Sequence, residues 1–155
     1  MAGGRAGARP VSQGHRLRCP PVLDDAMRLF DVLEFADRIE FLPGDAREEV
    51  PAVADIYVLK SVLQQHDDKD AAAILENCRR AMTPGARLVV HERLMPEDPS
   101  ADPEAIMIDL HMMAITGGKT RTLAEMESLI SSAGLSVAGH RKTSGGMTAI
   151  DVRTP

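Results

Sequence analysis

The sequence predicts an α/β protein whose sheet ends in an antiparallel hairpin. Three observations predict it. Short apolar runs alternate with helical patterns between residues 38 and 91, Pro43-Gly44 and Pro84-Gly85 punctuate them, and the tail holds two alternating runs around Gly145-Gly146. Strand, helix, strand in that order is the pattern of right-handed βαβ units.

Each element has a local reason. Met1 to Arg18 carries Arg5, Arg9, Arg16 and Arg18, no acidic residue and no apolar period. Residues 1–19 are therefore expected to form a disordered arm, set apart from residues 20–155. A transit peptide, a basic arm touching a partner and an out-of-frame segment stay open as readings. Leu23, Met27, Phe30 and Leu33 then recur at helical spacing, with Asp24 and Asp25 suited to the helix N-terminus. A strand is expected over 38–42, stopped by Pro43-Gly44-Asp45. Ile56-Tyr57-Val58-Leu59 is an unbroken apolar run, the mark of a strand buried on both faces, expected over 55–60. Asp70 to Met82 reads as a helix, with Ile74, Leu75, Cys78, Ala81 and Met82 on one side and Glu76, Arg79 and Arg80 on the other. Leu88-Val89-Val90 marks a third parallel strand over 86–91. A Pro-rich loop leads to a Met-rich helix from Glu104 to Ile115. Thr122 and Glu125 form a capping box for the next helix, and Gly134 stands where a helix-ending glycine belongs. Strands over 135–141 and 147–153 close the chain.

Composition narrows the function. The 155 residues suit one domain, and 18 basic against 23 acidic side chains give a net charge of −5, which argues against a nucleic-acid partner. No run reaches the roughly 18–20 apolar residues of a membrane span, so no membrane role is expected. Cys19 and Cys78 make neither a disulfide framework nor a zinc cluster, so no metal site and a reducing cytoplasm are expected. With aromatics at 3% and nine methionines, aliphatic and Met side chains must fill the core.

Several stretches fall in a characteristic order: Asp37 to Phe41, Pro43-Gly44-Asp45, Leu59-Lys60-Ser61-Val62-Leu63, Ala73 to Met82, Pro84 to Glu92, Asp109-Leu110-His111-Met112 and Gly117 to Thr122. From Pro20 to Pro155 this resembles the C-terminal part of the S-adenosylmethionine-dependent O-methyltransferases of the plant caffeate and bacterial polyketide type. The resemblance implies a Rossmann-like class I methyltransferase sheet, truncated at its N-terminal side, and methyl transfer to a hydroxyl of a small aromatic or polyketide-like acceptor. S-adenosylmethionine is the cofactor it implies, with Asp45 and Ala46 beside the adenine and Lys60 near it. A carboxylate there can accept from the exocyclic amine, although Asp45 also reads as a turn residue. Glu92 matches a glutamate flanking the catalytic base, at the strand ends where open α/β sheets bind ligands. Met112, Met113 and His111 fall on the helix that lines the acceptor pocket in relatives, where the methionines also read as ordinary core.

Four departures from the family pattern stand out. No glycine-rich loop follows a first strand, because Gly3-Gly4 and Gly7 lack a strand–loop–helix context. Arg18 or a neighbour stands in the place of the ribose-binding acid. Gln64 occupies the catalytic histidine's place, and a carboxamide takes no proton near neutral pH. Thr120 replaces a second glutamate flanking the base. His66, two residues past Gln64, is an alternative base if the register shifts. An inactive fragment, and a divergent member with hydroxylase- or decarboxylase-like chemistry, are the alternatives. Such a chain is expected to self-associate or to need a partner fragment.

Overall fold

The computed structural model describes residues 14–18, 25, 27, 28, 36–51 and 53–155. They fall in two compact units, Met1–Asp45 and Ala46–Pro155.

In the first unit β1 (Gly14–Arg18) pairs in parallel with β2 (Ile39–Pro43), Gly14 opposite Ile39 and Arg18 opposite Pro43. This corrects the expectation of an unstructured arm for that stretch. His-Arg-Leu-Arg has no apolar run for a pattern search to find; the ladder with β2 satisfies its backbone instead. Cross-strand contacts add to it, since His15 Nδ1 lies 3.0 Å from Glu40 Oε2. Asp25, Met27 and Arg28 are helical, as their spacing predicts, and the rest of that expected helix lies outside the described residues. A short 3-10 turn at Ala36–Arg38 feeds β2.

The second unit holds β3 (Ile56–Lys60), α1 (Asp68–Ala81), β4 (Arg87–Arg93), α2 (Pro103–Ile115), α3 (Leu123–Ser132), β5 (Ser136–Lys142) and β6 (Met147–Arg153). The sheet order is β3-β4-β6-β5. β3 and β4 are parallel, while β6 runs antiparallel to both β4 and β5. Of the three strands expected to run parallel, β3 and β4 pair in this sheet, and the closing hairpin is present. β2 pairs with β1 instead, because pairing partners are set by the fold and not by the apolar run.

The core lies where α1 and α3 meet the sheet. Tyr57, Leu59, Leu88, Val90, Ile150 and Val152 pack with Ile74, Leu75 and Cys78 from α1 and Met126, Leu129 and Ile130 from α3. β3 is not buried on both faces as expected: Ile56 is 57% exposed and Val58 62%. The strand ends its sheet, and its alternate side chains point away from the face that α1 and α3 cover.

Helix starts follow their caps. Asp67 accepts the Asp70 N–H at 2.8 Å, which starts α1 at Asp68, two residues earlier than expected. Both halves of the Thr122/Glu125 capping box are made, at 3.2 and 2.8 Å. Gly134 has φ +73°, the left-handed helix exit its position predicts. The buried Arg93 guanidinium ties β4 to α2 and the hairpin turn, donating to Asp102, Glu104 and the Gly145 carbonyl at 2.9 Å each.

Candidate functional site

The C-terminal ends of β3 and β4 open onto the turn 61–66. Ser61 leaves β3 with φ 52°, a left-handed backbone uncommon for a residue with a side chain. Its N–H donates to the His91 carbonyl at 3.1 Å. The turn then tightens into a single 3-10 segment at Leu63–Gln65, with the N–H groups of Gln65 and His66 donating to Val62 and Leu63.

Two buried ionisable groups hold this turn. Glu92 is 1% exposed, and its Oε1 accepts the N–H groups of Val62 (3.0 Å), Leu63 (2.6 Å) and Gln64 (3.3 Å). Burial pushes its carboxyl up to about 7, against those three donors and nearby Arg121, which favour the charged form. Arg121, also 1% exposed, donates to the Leu63 carbonyl at 2.9 Å, the His66 carbonyl at 3.0 Å and Asp68 Oδ1. A hydrogen bond from Lys119, foremost, and Arg121 hold the Asp68 carboxyl below its ordinary value against burial. The segment 118–121 thus lies along the turn, and Gly118 is required there: a Cβ would stand 2.2 Å from the Gln64 carbonyl oxygen.

Gln64 and Thr120 sit on these two adjoining segments, 9% and 6% exposed. Gln64 Oε1 and Thr120 Oγ1 are buried without a hydrogen-bond partner. Such an omission costs about 1–3 kcal/mol per group, and a ligand is one explanation for it. Beside the turn lies a polar cleft of about 360 Å³, lined by Arg47, Gln65, His66, Asp67, Asp70, Thr116 and Gly117.

The expected site residues separate in this geometry. Gln64 and Glu92 meet at the turn, where Glu92 Oε1 accepts three backbone N–H groups, that of Gln64 among them. His66 lines the cleft, apart from the buried Gln64 side chain. Lys60 is exposed at the end of β3, and Asp45 and Ala46 are half-buried. On α2, His111 is exposed, Met112 is half-buried and Met113 is 56% exposed, so Met113 is not core. Asp109 on the same helix accepts the Thr120 N–H at 2.6 Å. Arg121, Gly118 and Asp109 escaped the sequence reading as site residues. A buried arginine and a crowded glycine announce themselves only through what they touch.

A family model described as an O-methyltransferase domain matches residues 6–136. The match begins inside the stretch expected to be an arm. The chain is 38% identical over 130 residues to the mitomycin biosynthesis 6-O-methyltransferase of Streptomyces lavendulae, covering 84% of this chain and 37% of that protein. It is 40% identical over 124 residues to the aclacinomycin 10-hydroxylase of Streptomyces purpurascens, covering 79% of this chain and 33% of that protein. Among solved structures, an O-methyltransferase from neocarzinostatin biosynthesis, in complex with S-adenosyl-L-homocysteine and 1,4-dihydroxy-2-naphthoic acid, superposes with TM-score 0.82 at 29% identity. That match covers 92% of this chain and 42% of the other. The chain thus spans about a third of the length of these curated relatives.

The described residues do not by themselves fit S-adenosylmethionine. A half-buried carboxylate at Asp45 and an exposed lysine at Lys60 are the donor set the resemblance supplies, and Asp45 already has an interaction of its own. The orphaned buried atoms, Gln64 Oε1 and Thr120 Oγ1, are neutral and lie at the 61–66 turn, where the resemblance puts the acceptor's base.

Proposed function

We propose a function from one premise: the chain belongs to the O-methyltransferase domain family. In this reading the crevice at the ends of β3 and β4 receives the hydroxyl of a small aromatic or polyketide-like molecule. In the same reading the acceptor side of the site belongs to Gln64 and Glu92, with Met112 and Met113 of α2. A reducing cytoplasm is the proposed compartment, consistent with the free, buried Cys78, whose thiol burial pushes up to about 12.

The observation that carries the reading is the Gln64 side chain, buried and lacking a partner at Oε1. It supports a pocket built to hold a polar group. It equally argues that this chain removes no proton there, since a carboxamide is no base and Glu92 Oε1 is committed to three backbone donors. A second reading, retention of the pocket for chemistry other than methyl transfer, is favoured by the likeness to a hydroxylase at 40% identity.

Affinity for S-adenosylmethionine should be weak. Charge-assisted hydrogen bonds to ribose are worth about 1.5–3 kcal/mol each, and every 1.4 kcal/mol is about tenfold. Calorimetry with this chain should therefore give no dissociation constant below about 100 μM. Methyl transfer to 1,4-dihydroxy-2-naphthoic acid, the ligand of the neocarzinostatin relative, should be undetectable. A low-micromolar titration would overturn the cofactor part. Measurable methyl transfer that Gln64→His leaves unchanged would overturn the assignment of Gln64.

A further inference from the structure

β3 ends the four-stranded sheet, and its hydrogen bonds to β4 fix which backbone groups are left over. The Asp55 carbonyl accepts the Arg87 N–H at 2.9 Å, and the Ser61 N–H donates to the His91 carbonyl at 3.1 Å. Residues 55, 57, 59 and 61 therefore turn to β4. The alternation of a parallel ladder turns the N–H and C=O groups of Ile56, Val58 and Lys60 to the open edge. No other strand among the described residues pairs there. The edge is held in place: the Tyr57 hydroxyl donates to the Ala81 carbonyl at the end of α1 (2.8 Å) and accepts the Ala54 N–H (3.0 Å). The opposite edge differs. β5 carries His140, Arg141 and Lys142, all exposed, and a register shift between Val137 and Gly139, both of which obstruct pairing with another strand.

We propose that β3 is the dimerisation edge of this chain, pairing antiparallel with β3 of a second copy so that Val58 lies opposite the partner's Val58 on a two-fold axis. Every outward group then finds a bond. Ile56 exchanges N–H and C=O with the partner's Lys60, Val58 with the partner's Val58, and Lys60 with the partner's Ile56. Opposite residues share a face, so Tyr57 meets the partner's Leu59 on the helix-covered side. On the other side the exposed Ile56 (57%) lies along the aliphatic stem of the partner's Lys60. The two lysines stand at opposite ends of the seam. A slip of one residue would set outward groups against inward ones and break the match. The occupant is a second copy because the edge complements itself: its three outward residues are symmetric about Val58, and none is left unpaired. With β5 obstructed, the assembly closes at two chains.

The test uses the full chain. Light scattering over a dilution series should show a mass that rises to that of two chains and stops. Hydrogen exchange followed by NMR should protect the N–H groups of Ile56, Val58 and Lys60 in concentrated solution and release them on dilution. Those of Tyr57 and Leu59, bonded to β4, should stay protected throughout. Val58→Pro deletes an outward N–H that makes no bond within the sheet, at an edge position that tolerates proline. It should weaken the dimer about tenfold or more, with circular dichroism unchanged. If that variant unfolds, the wild-type exchange pattern decides. Val58→Cys should oxidise to a linked dimer more readily than Asp55→Cys, whose copies lie apart in this register. A mass that stays at one chain or grows past two would overturn the proposal, as would protection of the three outward amides that dilution leaves unaltered. So would a folded Val58→Pro chain that dimerises like the wild type, or equal oxidation of the two cysteine variants.

Discussion

Glu92 sits with 1% of its surface exposed, at the carboxyl end of β4. Its carboxyl titrates at about 7 in the folded chain, against 4.5 for the free group. Between those values the native state holds a proton that the unfolded chain has released, so stability is fullest below about 4.5 and declines as pH rises through 7. The loss is on the order of 3 kcal/mol across that window. Thermal denaturation should give a lower Tm above neutrality than at mildly acid pH, and Glu92→Gln should flatten the difference. A wild-type Tm that climbs with pH, and a variant that climbs equally, would show that Glu92 is ionised when folded. Arg121 behaves differently, because its partners are two carbonyls and Asp68. Arg121→Met leaves those carbonyls without their donor, and should cost about 3 kcal/mol or more in urea unfolding.

At the scale of elements, the segment 117–122 does two things: it lies along the 61–66 turn and it starts α3. Gly118→Ala would press a methyl group against the Gln64 carbonyl and the backbone at Gln65 and His66. Backbone cannot yield as a flexible side chain can, so about 2 kcal/mol or more of stability should be lost, within the range for overpacking. The amide resonances of residues 62–66 should move with it. Thr122→Ala removes one half of the capping box and should cost about 1 kcal/mol, with the turn undisturbed. If both variants shift the turn resonances equally, Gly118 has no special place there. The Met-rich α2 is apolar around its circumference, and Met107, Leu110, Met113 and Ile115 are all at least half exposed. Its start is fixed by Asp102 and Arg93, its far half by Asp109 meeting Thr120.

Across the whole second unit, β3 closes one end of the four-stranded sheet and presents Ile56 and Val58, with Val53 before it, to the outside. An edge strand whose exposed side chains are apolar at Ile56 and Val58, with a charge only at its last residue, Lys60, is a template for pairing with another chain. The isolated chain is therefore expected to self-associate, as light scattering would register by a mass that rises with concentration. Val58→Lys, placing a charge on that face, should lower the association without disturbing the core side chains Tyr57 and Leu59. A monodisperse monomer with a sharp cooperative melt would contradict this. Among the described residues no helix is long and apolar enough to cross a membrane, and no group of three or more candidate metal ligands occurs.

The sequence by itself determined the elements whose causes are local. The Thr122/Glu125 box, the Gly134 exit, the hairpin around Gly145-Gly146 and the parallel pair β3 and β4 follow from capping, backbone freedom and apolar runs over a few residues. The order of short motifs carried the family in the same way. Tertiary structure alone decided the rest, because pairing and burial depend on partners far away in the chain. Gly14–Arg18 is a strand since β2 lies beside it, and Ile56 and Val58 are exposed since the packed helices cover the other face. Glu92 was legible as a strand-end carboxylate, but its task, holding three backbone N–H groups some thirty residues away, was not. Nor was the buried, unpartnered state of Gln64 and Thr120, since a polar residue's sequence neighbours do not say which atoms the fold will leave it to meet.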